Sequence, residues 1–365
     1  MDAHSTAGEA LRRLTAREHL SREQARRLLQ EIFAGHASEA AIAGVLVALA
    51  MKGETVDEIV GFAEAMRAAV VDIGLDQGKG AGAGAYVDTC GTGGSARNCF
   101  NISTAAAFVA AGAGAAVAKH GNRTNTSVSG SADVLEACGV NLALPAERLG
   151  PCLRAIGVVF LYAPLLHGAM HRVIPARRAL GIRTIFNLLG PLTNPAGARA
   201  QVVGVPSAGL IPVMAEALLR LGTRHSFVVR SEDGLGEFST TATTWVAEIQ
   251  HGEIREYRLD ARKLGLPRAQ IADLTCSSRE DAAAALAAVL EGEAGARRDI
   301  TCLNAAAALV AAGRASDMDQ GLELARAAID SGAAREKLAA LVRYTNEQSG
   351  ADVPARETAG NATGR

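Results

Sequence analysis

Apolar and polar residues follow two different patterns along the chain, and the change comes near residue 75. In residues 1–70, amphipathic stretches are separated by helix-start signals, such as Ser21 followed by Gln24, and Ser38 before an apolar run. Hydroxyl side chains at such positions are typical N-caps, so this part predicts consecutive short helices without a strand. Residues 74–84 (GLDQGKGAGAG) are glycine-rich and polar, which predicts a linker into a second domain.

From residue 86 onward, short apolar runs alternate with helical stretches. This alternation predicts βα units on a mostly parallel sheet, followed by an antiparallel hairpin where His251 and Gly252 separate two runs. Alanine-rich helices are expected over about 278–349, and the polar stretch 351–365 is expected to be a disordered tail. The predicted strands are 86–88, 115–118, 158–162, 201–205, 226–229, 245–250 and 254–259.

The length of 365 residues allows one large domain and a smaller one. We therefore predict the α/β fold class, with a small N-terminal all-helical domain over residues 1–75. A larger α/β domain with a mostly parallel central sheet is expected over residues 76–350.

The charges of the chain are nearly balanced, with 37 basic and 38 acidic residues mixed along it. No overall field is available to hold a polyanion, so we expect no nucleic-acid partner and local binding of any anion. The apolar runs are too short or too glycine-rich to span a bilayer, and the first residues lack a signal-peptide core. We therefore expect a cytoplasmic protein with no membrane partner. Its six cysteines form no CxxC pair and are expected to be reduced.

The stretch GTGGSARNCFNIST, residues 91–104, lies between a predicted strand and a predicted helix. Its glycines let the backbone approach a ligand closely, and the helix N-terminus offers unpaired N–H groups. Asn101, Ser103 and Thr104 add polar side chains at the same end. The stretch matches neither common phosphate-loop motif, so a phosphate site and a plain tight turn before a capped helix both remain open.

A second polar stretch, KHGNRTNTSVSGSAD at residues 119–133, follows the next predicted strand. Because the carboxyl ends of parallel strands share one edge of a sheet, the two loops are expected to lie side by side where ligands bind. Lys119, His120, Asn122 and Arg123 offer donors, although a solvated loop can have the same composition. Two adjacent anion-directed loops favour a ligand with more than one phosphate.

Two later stretches carry further candidate groups. In residues 167–197, helical spacing places Arg177 and Arg178 on adjoining faces, so one of these guanidinium groups can clamp a carboxylate in the pocket. In the stretch SEDGLGEFSTT, residues 231–241, carboxylates at a strand end are suited to magnesium that also binds phosphate oxygens. These acidic residues are Glu232, Asp233 and Glu237.

Together these stretches resemble anthranilate phosphoribosyltransferases, the enzymes of tryptophan biosynthesis that join anthranilate to 5-phosphoribosyl 1-pyrophosphate. The likeness covers roughly residues 5–345 and is most specific in GTGG, NIST, KHGNR, SGSADVLEACGVNL and RRALGIRTIFNLLGPLTNP, in that order. It implies a nucleoside phosphorylase/phosphoribosyltransferase-like fold whose helical domain is completed by a helix near 168–182. It also implies an active site between the two domains, Mg2+ as cofactor and a homodimer.

The resemblance assigns site residues position by position and leaves no residue as a general acid or base. The implied contacts of phosphoribosyl pyrophosphate are Gly91, Gly94, Ser95, Cys99, Asn101, Ile102, Ser103, Thr104, Lys119, His120, Gly121, Asn122, Arg123, Thr124, Asn125, Thr126, Ser127 and Ser131. The implied contacts of anthranilate are Gly91, Asn122 and Arg177, and those of the metal are Ser103, Glu237 and the position of Gly236.

Three positions depart from the commonest pattern of that family. Ser95 stands where an aspartate is usual, Cys99 where a threonine is usual, and Gly236 where the first residue of an Asp-Glu pair is expected. Two arrangements of the metal site remain open: Asp233 substitutes for the missing carboxylate through a shifted loop, or one magnesium ion is held mainly by pyrophosphate, water and Glu237. The two alternatives are a pyrimidine nucleoside phosphorylase-like enzyme and a non-catalytic nucleic-acid-binding paralog. The first has a similar GIRTIFNLLGPLTNP stretch, and the second lacks the basic surface it would need.

Overall fold

The computed structural model describes residues 6–75, 86–93, 98–124 and 128–347. Most of the predicted linker, 76–84, and the predicted tail at 351–365 lie outside these residues. No helix in the described ranges combines the length and the apolar character needed to cross a membrane.

The N-terminal part is helical, as predicted. Ser21 accepts a hydrogen bond from the backbone N–H of Gln24, and the Gln24 side chain accepts one in return, so the predicted capping box is present. Ser38 likewise accepts a bond from a backbone N–H in the first turn of its helix. The four helices are α1 (Thr6–Thr15), α2 (Arg22–Phe33), α3 (Glu39–Lys52) and α4 (Val56–Ala68).

One seven-stranded sheet forms the centre of the remaining chain. Its strands are β1 (Tyr86–Gly91), β2 (Ala116–Gly121), β3 (Val158–Tyr162), β4 (Ala200–Gly204), β5 (His225–Ser231), β6 (Thr244–Gln250) and β7 (Glu253–Leu259). They lie in the order β3-β2-β1-β4-β5-β6-β7, with β1 to β5 parallel and the β6–β7 hairpin antiparallel. The predicted fold class is therefore confirmed. Strands β1 and β2 run further than predicted, because the glycines at their carboxyl ends still pair with neighbouring strands.

Helices cover both faces of the sheet. They are α5 (Ile102–Gly112), α6 (Ser131–Ala137), α7 (Ala146–Ile156), α8 (Ala163–Leu166), α9 (Ile174–Leu180), α10 (Phe186–Leu189), α11 (Leu210–Arg220), α12 (Arg279–Leu290), α13 (Ala296–Ala311), α14 (Met318–Asp330) and α15 (Ala333–Glu347). Short 3-10 helices occur at Gly168–Arg172, Gly190–Leu192, Ala261–Leu264 and Ile271–Leu274. Helices α5 and α13 pack against each other on one face, and α11 lies between the other face and α4.

Two hydrophobic cores follow from the alternation of side chains along the strands. Val202 belongs to the core that contains α5 and α13. Its neighbour Val203 belongs to the second core, which joins α11 to the helices of the N-terminal part. Val173 and Ala176 lie in this second core too, and α9 packs on α3. Since one core spans the helical part and the sheet, the domain bounds 1–75 and 76–350 stay a prediction.

Two glycines let backbone segments cross at the carboxyl ends of the central strands. Gly91 and Gly204 pair with each other at the ends of β1 and β4. A Cβ atom on Gly204 would lie 1.9 Å from the carbonyl oxygen of Gly236, so only glycine allows the loop after β5 to cross here. This crossing brings Gly236 and Glu237 to the same edge as the loops after β1 and β2.

Candidate active site

A cavity of about 360 Å³ opens at the carboxyl ends of the parallel strands. This is the edge where an open α/β sheet normally binds its ligands. Most of the predicted site residues line it: Gly91, Asn101, Ser103, Thr104, Lys119, His120, Gly121, Asn122, Arg123, Thr124, Ser131, Gly236 and Glu237. The loops after β1 and β2 therefore lie side by side, as the sequence analysis expected.

Three predicted residues are not among those that line the cavity. Ile102 belongs to the hydrophobic core, and the backbone of Cys99 forms an antiparallel bridge with Thr275. The Arg177 guanidinium lies 5.4 Å from the centre of the Phe186 ring. The assignments of these three residues stay predictions. Gly94, Ser95, Asn125, Thr126 and Ser127 lie outside the described residues.

The N-terminus of α5 points donors into the cavity. The helix begins at Ile102, and Asn101 occupies the cap position without a side-chain cap hydrogen bond. The hydroxyl oxygen of Thr104 is buried and has no hydrogen-bond partner among the residues that the structure describes. An unpaired buried hydroxyl costs free energy, so a ligand that supplied the missing bond would stabilise this group. Asn101 is held in place by Ser129, whose hydroxyl donates to it over 2.9 Å.

Buried charges surround the base of the cavity. The Lys119 ammonium donates to the carbonyl of Thr89 and lies 3.4 Å from the hydroxyl oxygen of Ser103. Burial lowers the pKa of Lys119, while the nearby carboxylates of Asp88 and Glu237 oppose that effect. Burial raises the pKa of Asp88. One amino group and two carboxyl groups thus lie together in a buried environment, where electrostatic interactions are strong.

Asp88 is a functional candidate that the sequence analysis did not name. Its carboxylate accepts hydrogen bonds from the backbone N–H of His120 (3.1 Å) and from the side-chain amide of Asn194 (2.8 Å). These bonds tie β1 to the start of the KHGNR loop and to the segment after the Gly190–Leu192 helix. A carboxylate inside the apolar strand stretch YVDTC was the available signal, because charged residues are rarely buried without a partner.

The imidazole of His120 lines the cavity in its neutral form. Its Nδ1 atom lies 3.1 Å from the carbonyl oxygen of Gly190, which can only accept, so Nδ1 carries the proton. The Nε2 atom then accepts from Nε2 of His167, 3.2 Å away. Burial lowers the pKa of His120 to about 3 and that of His167 to about 4. The pair therefore presents an uncharged surface beside Ala163 and Pro191 at neutral pH.

Arg123 faces both the cavity and a pair of carboxylates. Its guanidinium forms ion pairs with Asp133 (3.0 Å) and Glu136 (2.7 Å) on α6. The side chain is 40% exposed, so these pairs are solvent-screened and exchangeable. A phosphate group entering the cavity can compete for this guanidinium, whose planar donors match phosphate oxygens well.

The acidic loop after β5 offers one cavity carboxylate. Asp233 accepts hydrogen bonds from the hydroxyl groups of Ser231, Ser239 and Thr241, so its side chain serves the loop itself. Glu237 lines the cavity, and burial raises its pKa to about 7. In the described ranges, no cluster of three or more His, Cys, Asp or Glu residues is suited to a metal. Magnesium commonly uses one or two carboxylates plus substrate phosphates, which fits Glu237 with Ser103.

Comparison with known protein families gives two matches. The model of a glycosyl transferase family α/β domain matches residues 83–335, and that of the helical bundle domain of the same family matches residues 8–70.

Curated relatives and solved structures agree with these matches. The chain is 48% identical over 332 residues to the anthranilate phosphoribosyltransferase of Moorella thermoacetica, covering 91% of this chain and 96% of the relative. It is 49% identical to that of Thioalkalivibrio sulfidiphilus, covering 92% and 98%. The crystal structure of anthranilate phosphoribosyltransferase from Thermus thermophilus matches with a TM-score of 0.85 at 41% identity, covering 92% and 99%. The enzyme from Saccharomyces cerevisiae, in complex with PRPP and Mg, matches with a TM-score of 0.85 at 25% identity, covering 94% and 99%.

Proposed function

This chain belongs to the anthranilate phosphoribosyltransferase family, and we propose that it transfers the phosphoribosyl group of 5-phosphoribosyl 1-pyrophosphate to the amino group of anthranilate. The products are N-(5-phosphoribosyl)anthranilate and pyrophosphate, a pentosyl transfer of tryptophan biosynthesis. The single observation that carries the proposal is the composition of the cavity wall. Phosphate-directed donors come from the loops after β1 and β2, and a neutral, largely apolar surface comes from α8 and the 190–192 turn. The relatives give no support to the two alternative functions.

The phosphoribosyl pyrophosphate binds to the polar part of this wall. Backbone N–H groups at the start of α5 and the free hydroxyl of Thr104 meet phosphate oxygens, as a helix N-terminus favours. Lys119 supplies a buried positive charge beneath them. Arg123 leaves its carboxylate partners on α6 to pair with a phosphate. The five predicted contacts outside the described ranges belong to the same proposal.

Anthranilate binds against the neutral part of the wall. Pro191 and Ala163 offer apolar contact to the aromatic ring. The resemblance assigned His120 to the phosphoribosyl donor, but we propose that its uncharged imidazole lies beside the aromatic ring of the acceptor instead. Asn122 and Gly91 line the same cavity and are proposed to contact anthranilate where its amine meets C1 of the sugar. Arg177 is proposed to face the carboxylate of anthranilate.

The chemistry breaks the bond between C1 and a pyrophosphate oxygen and forms a bond between C1 and the amine nitrogen, which then loses a proton. Negative charge develops on the departing pyrophosphate. Donors at the start of α5 and the ammonium of Lys119 stabilise that charge in a site where electrostatic interactions are strong. The aromatic amine is neutral at pH 7, so no general base is assigned. Orientation of the amine toward C1 supplies much of the acceleration.

We propose Mg2+ as the cofactor, held by Glu237 and Ser103 together with substrate oxygens. The yeast homologue crystallised with PRPP and Mg supports this choice, as does the presence of hard oxygen donors in the cavity. When bound, the ion supplies positive charge to the pyrophosphate. We also propose a homodimer, as the resemblance implies, and sedimentation equilibrium can test it. None of the six cysteines forms a disulfide, which supports the proposed cytoplasmic location.

Anthranilate fluorescence gives the decisive experiment. Mixing the purified protein with anthranilate, phosphoribosyl pyrophosphate and Mg2+ should cause a loss of anthranilate fluorescence and the release of one pyrophosphate per anthranilate consumed. Omission of the phosphoribosyl donor and the Lys119→Met variant are the controls, and both should abolish the change. Persistent fluorescence with the well-folded wild-type protein would refute the proposed function.

A further inference from the structure

Three successive carbonyl groups of the cavity-lining turn Gly190–Leu192 each accept a hydrogen bond from a side chain of a different element. The donors lie on β2, on β4 and on α4. The pairs are His120 Nδ1 with Gly190 O at 3.1 Å, Gln201 Nε2 with Pro191 O at 2.6 Å, and Arg67 Nε with Leu192 O at 2.7 Å.

Arg67 differs from the other two donors in charge and in origin. It comes from α4 in the N-terminal helical part, whereas the other donors belong to the sheet. A second N–H of its guanidinium donates to the carbonyl of Leu221, 3.2 Å away at the end of α11. Within the described ranges, Arg67 forms no ion pair with a carboxylate. Burial lowers its pKa to about 10, which still leaves it charged at pH 7.

Among the described residues, the hydrogen-bond acceptors of this partly buried cation are backbone carbonyls, which is unusual because a buried charge is normally paired with an opposite charge. Its geometry explains the use. The fork of the guanidinium joins the turn Gly190–Leu192 to the end of α11, and so ties the helical part to the cavity wall. Loss of this fork would leave the Leu192 carbonyl without its donor.

The position of the turn has consequences for the site. Pro191 lies on the cavity wall, and its ring restricts the backbone, so the turn shifts as a unit rather than locally. The carbonyl of Gly190, one residue earlier, is the acceptor that selects the Nδ1–H tautomer of His120. A displaced turn would therefore move Pro191 and at the same time weaken the hydrogen bond that orients the His120 imidazole.

We propose that Arg67 is a positioning residue for the transfer reaction, because it holds the Gly190–Leu192 turn in the place where Pro191 and His120 receive the aromatic acceptor. The inference rests on the function proposed above. It assigns to a residue of the helical part, which does not line the cavity, a role in acceptor binding and not in donor binding.

Steady-state kinetics of Arg67→Met and Arg67→Lys test this role. For Arg67→Met, the KM for anthranilate should rise about tenfold while the KM for phosphoribosyl pyrophosphate changes less than about twofold. Arg67→Lys keeps the positive charge and can still donate to one of the two carbonyls, so its KM for anthranilate should rise less than that of Arg67→Met. Arg298→Met is the matched control. Like Arg67, Arg298 donates to a backbone carbonyl, that of Gly292, and does not line the cavity; unlike Arg67, it also pairs with Asp330 at 2.6 Å. This control should lower thermal stability without changing either KM.

A second measurement does not depend on turnover. In protein labelled with 15N-histidine, the Nδ1–H signal of His120, assigned with His120→Gln, should exchange slowly with solvent in the wild type and faster in Arg67→Met. Equal changes in both KM values, or no change in either with unaltered exchange, would overturn the role of Arg67. A wild-type protein that shows no transfer would instead refute the proposed function, and the exchange rates would still decide whether Arg67 holds the turn.

Discussion

Replacement of Gly204 by alanine is expected to displace the loop that carries Glu237. The added Cβ would lie 1.9 Å from the Gly236 carbonyl oxygen, whereas real Cβ atoms essentially never come within 3.0 Å of another heavy atom. One segment must therefore move by about 1 Å or more. Strand β4 is paired with a neighbouring strand on each side, and the Gly204 carbonyl accepts a hydrogen bond from the N–H of Thr92 at 2.9 Å. We therefore expect the loop after β5, rather than the strand, to move.

The size of the effect follows from this displacement. A shift of about 1 Å in a group that orients substrate costs on the order of 100-fold in rate, or about 2.7 kcal/mol of transition-state stabilisation. We therefore expect kcat/KM of Gly204→Ala to fall about 100-fold and the Mg2+ concentration for half-maximal activity to rise. Overpacking should also lower the free energy of unfolding by about 1–3 kcal/mol.

The assay is the initial rate of anthranilate fluorescence loss, titrated with Mg2+, with circular dichroism to verify folding. Gly209→Ala is the matched control, because a Cβ at Gly209 would have nothing within 4 Å. It should behave like the wild type. If folded Gly204→Ala kept more than half of the wild-type kcat/KM with an unchanged Mg2+ titration, the crossing of the loop over β4 would not matter for catalysis, and the reasoning would be refuted.

Three further predictions concern the metal, the acceptor and pH. Gly236→Asp adds a carboxylate beside Glu237, and the new Cβ would make only ordinary van der Waals contacts, the nearest at 3.4 Å. This variant should need less Mg2+ for half-maximal activity. An unchanged Mg2+ titration would contradict the prediction. Arg177→Ala should raise the KM for anthranilate much more than that for the ribosyl donor, and equal effects would remove its carboxylate assignment. The pKa values of His120 (about 3) and His167 (about 4) in the folded protein lie below the ordinary value of 6.5. As the pH falls, these imidazoles therefore take up protons in the unfolded chain before they do so in the folded protein. Relative to a pH well above 6.5, each imidazole thus lowers the free energy of unfolding by about 2 kcal/mol at pH 5. In urea unfolding, the free energy of unfolding of the wild type should exceed that of His167→Gln by a smaller amount at pH 5 than at pH 7. A constant difference would contradict the assignment of a neutral imidazole to His167.

Features that depend on neighbouring residues were accessible from the sequence. The capping box of Ser21 and Gln24 and the alternation of apolar runs determine helices and strands within a few positions, so the fold class could be predicted. The glycine stretch at 91–104 and the polar stretch at 119–133 follow strands that are parallel, which is why their meeting at one edge could also be predicted.

Only the tertiary structure decided what individual side chains do at that edge. By residue type and spacing alone, Asp233 and Glu237 were both suited to a metal; the fold surrounds Asp233 with hydroxyl groups and places Glu237 in the cavity. His120 becomes neutral because it is buried against His167, and Arg67 reaches a turn that is 125 residues away in the chain. Burial and pairing arise between segments that are distant in sequence, and no local pattern encodes which of them meet.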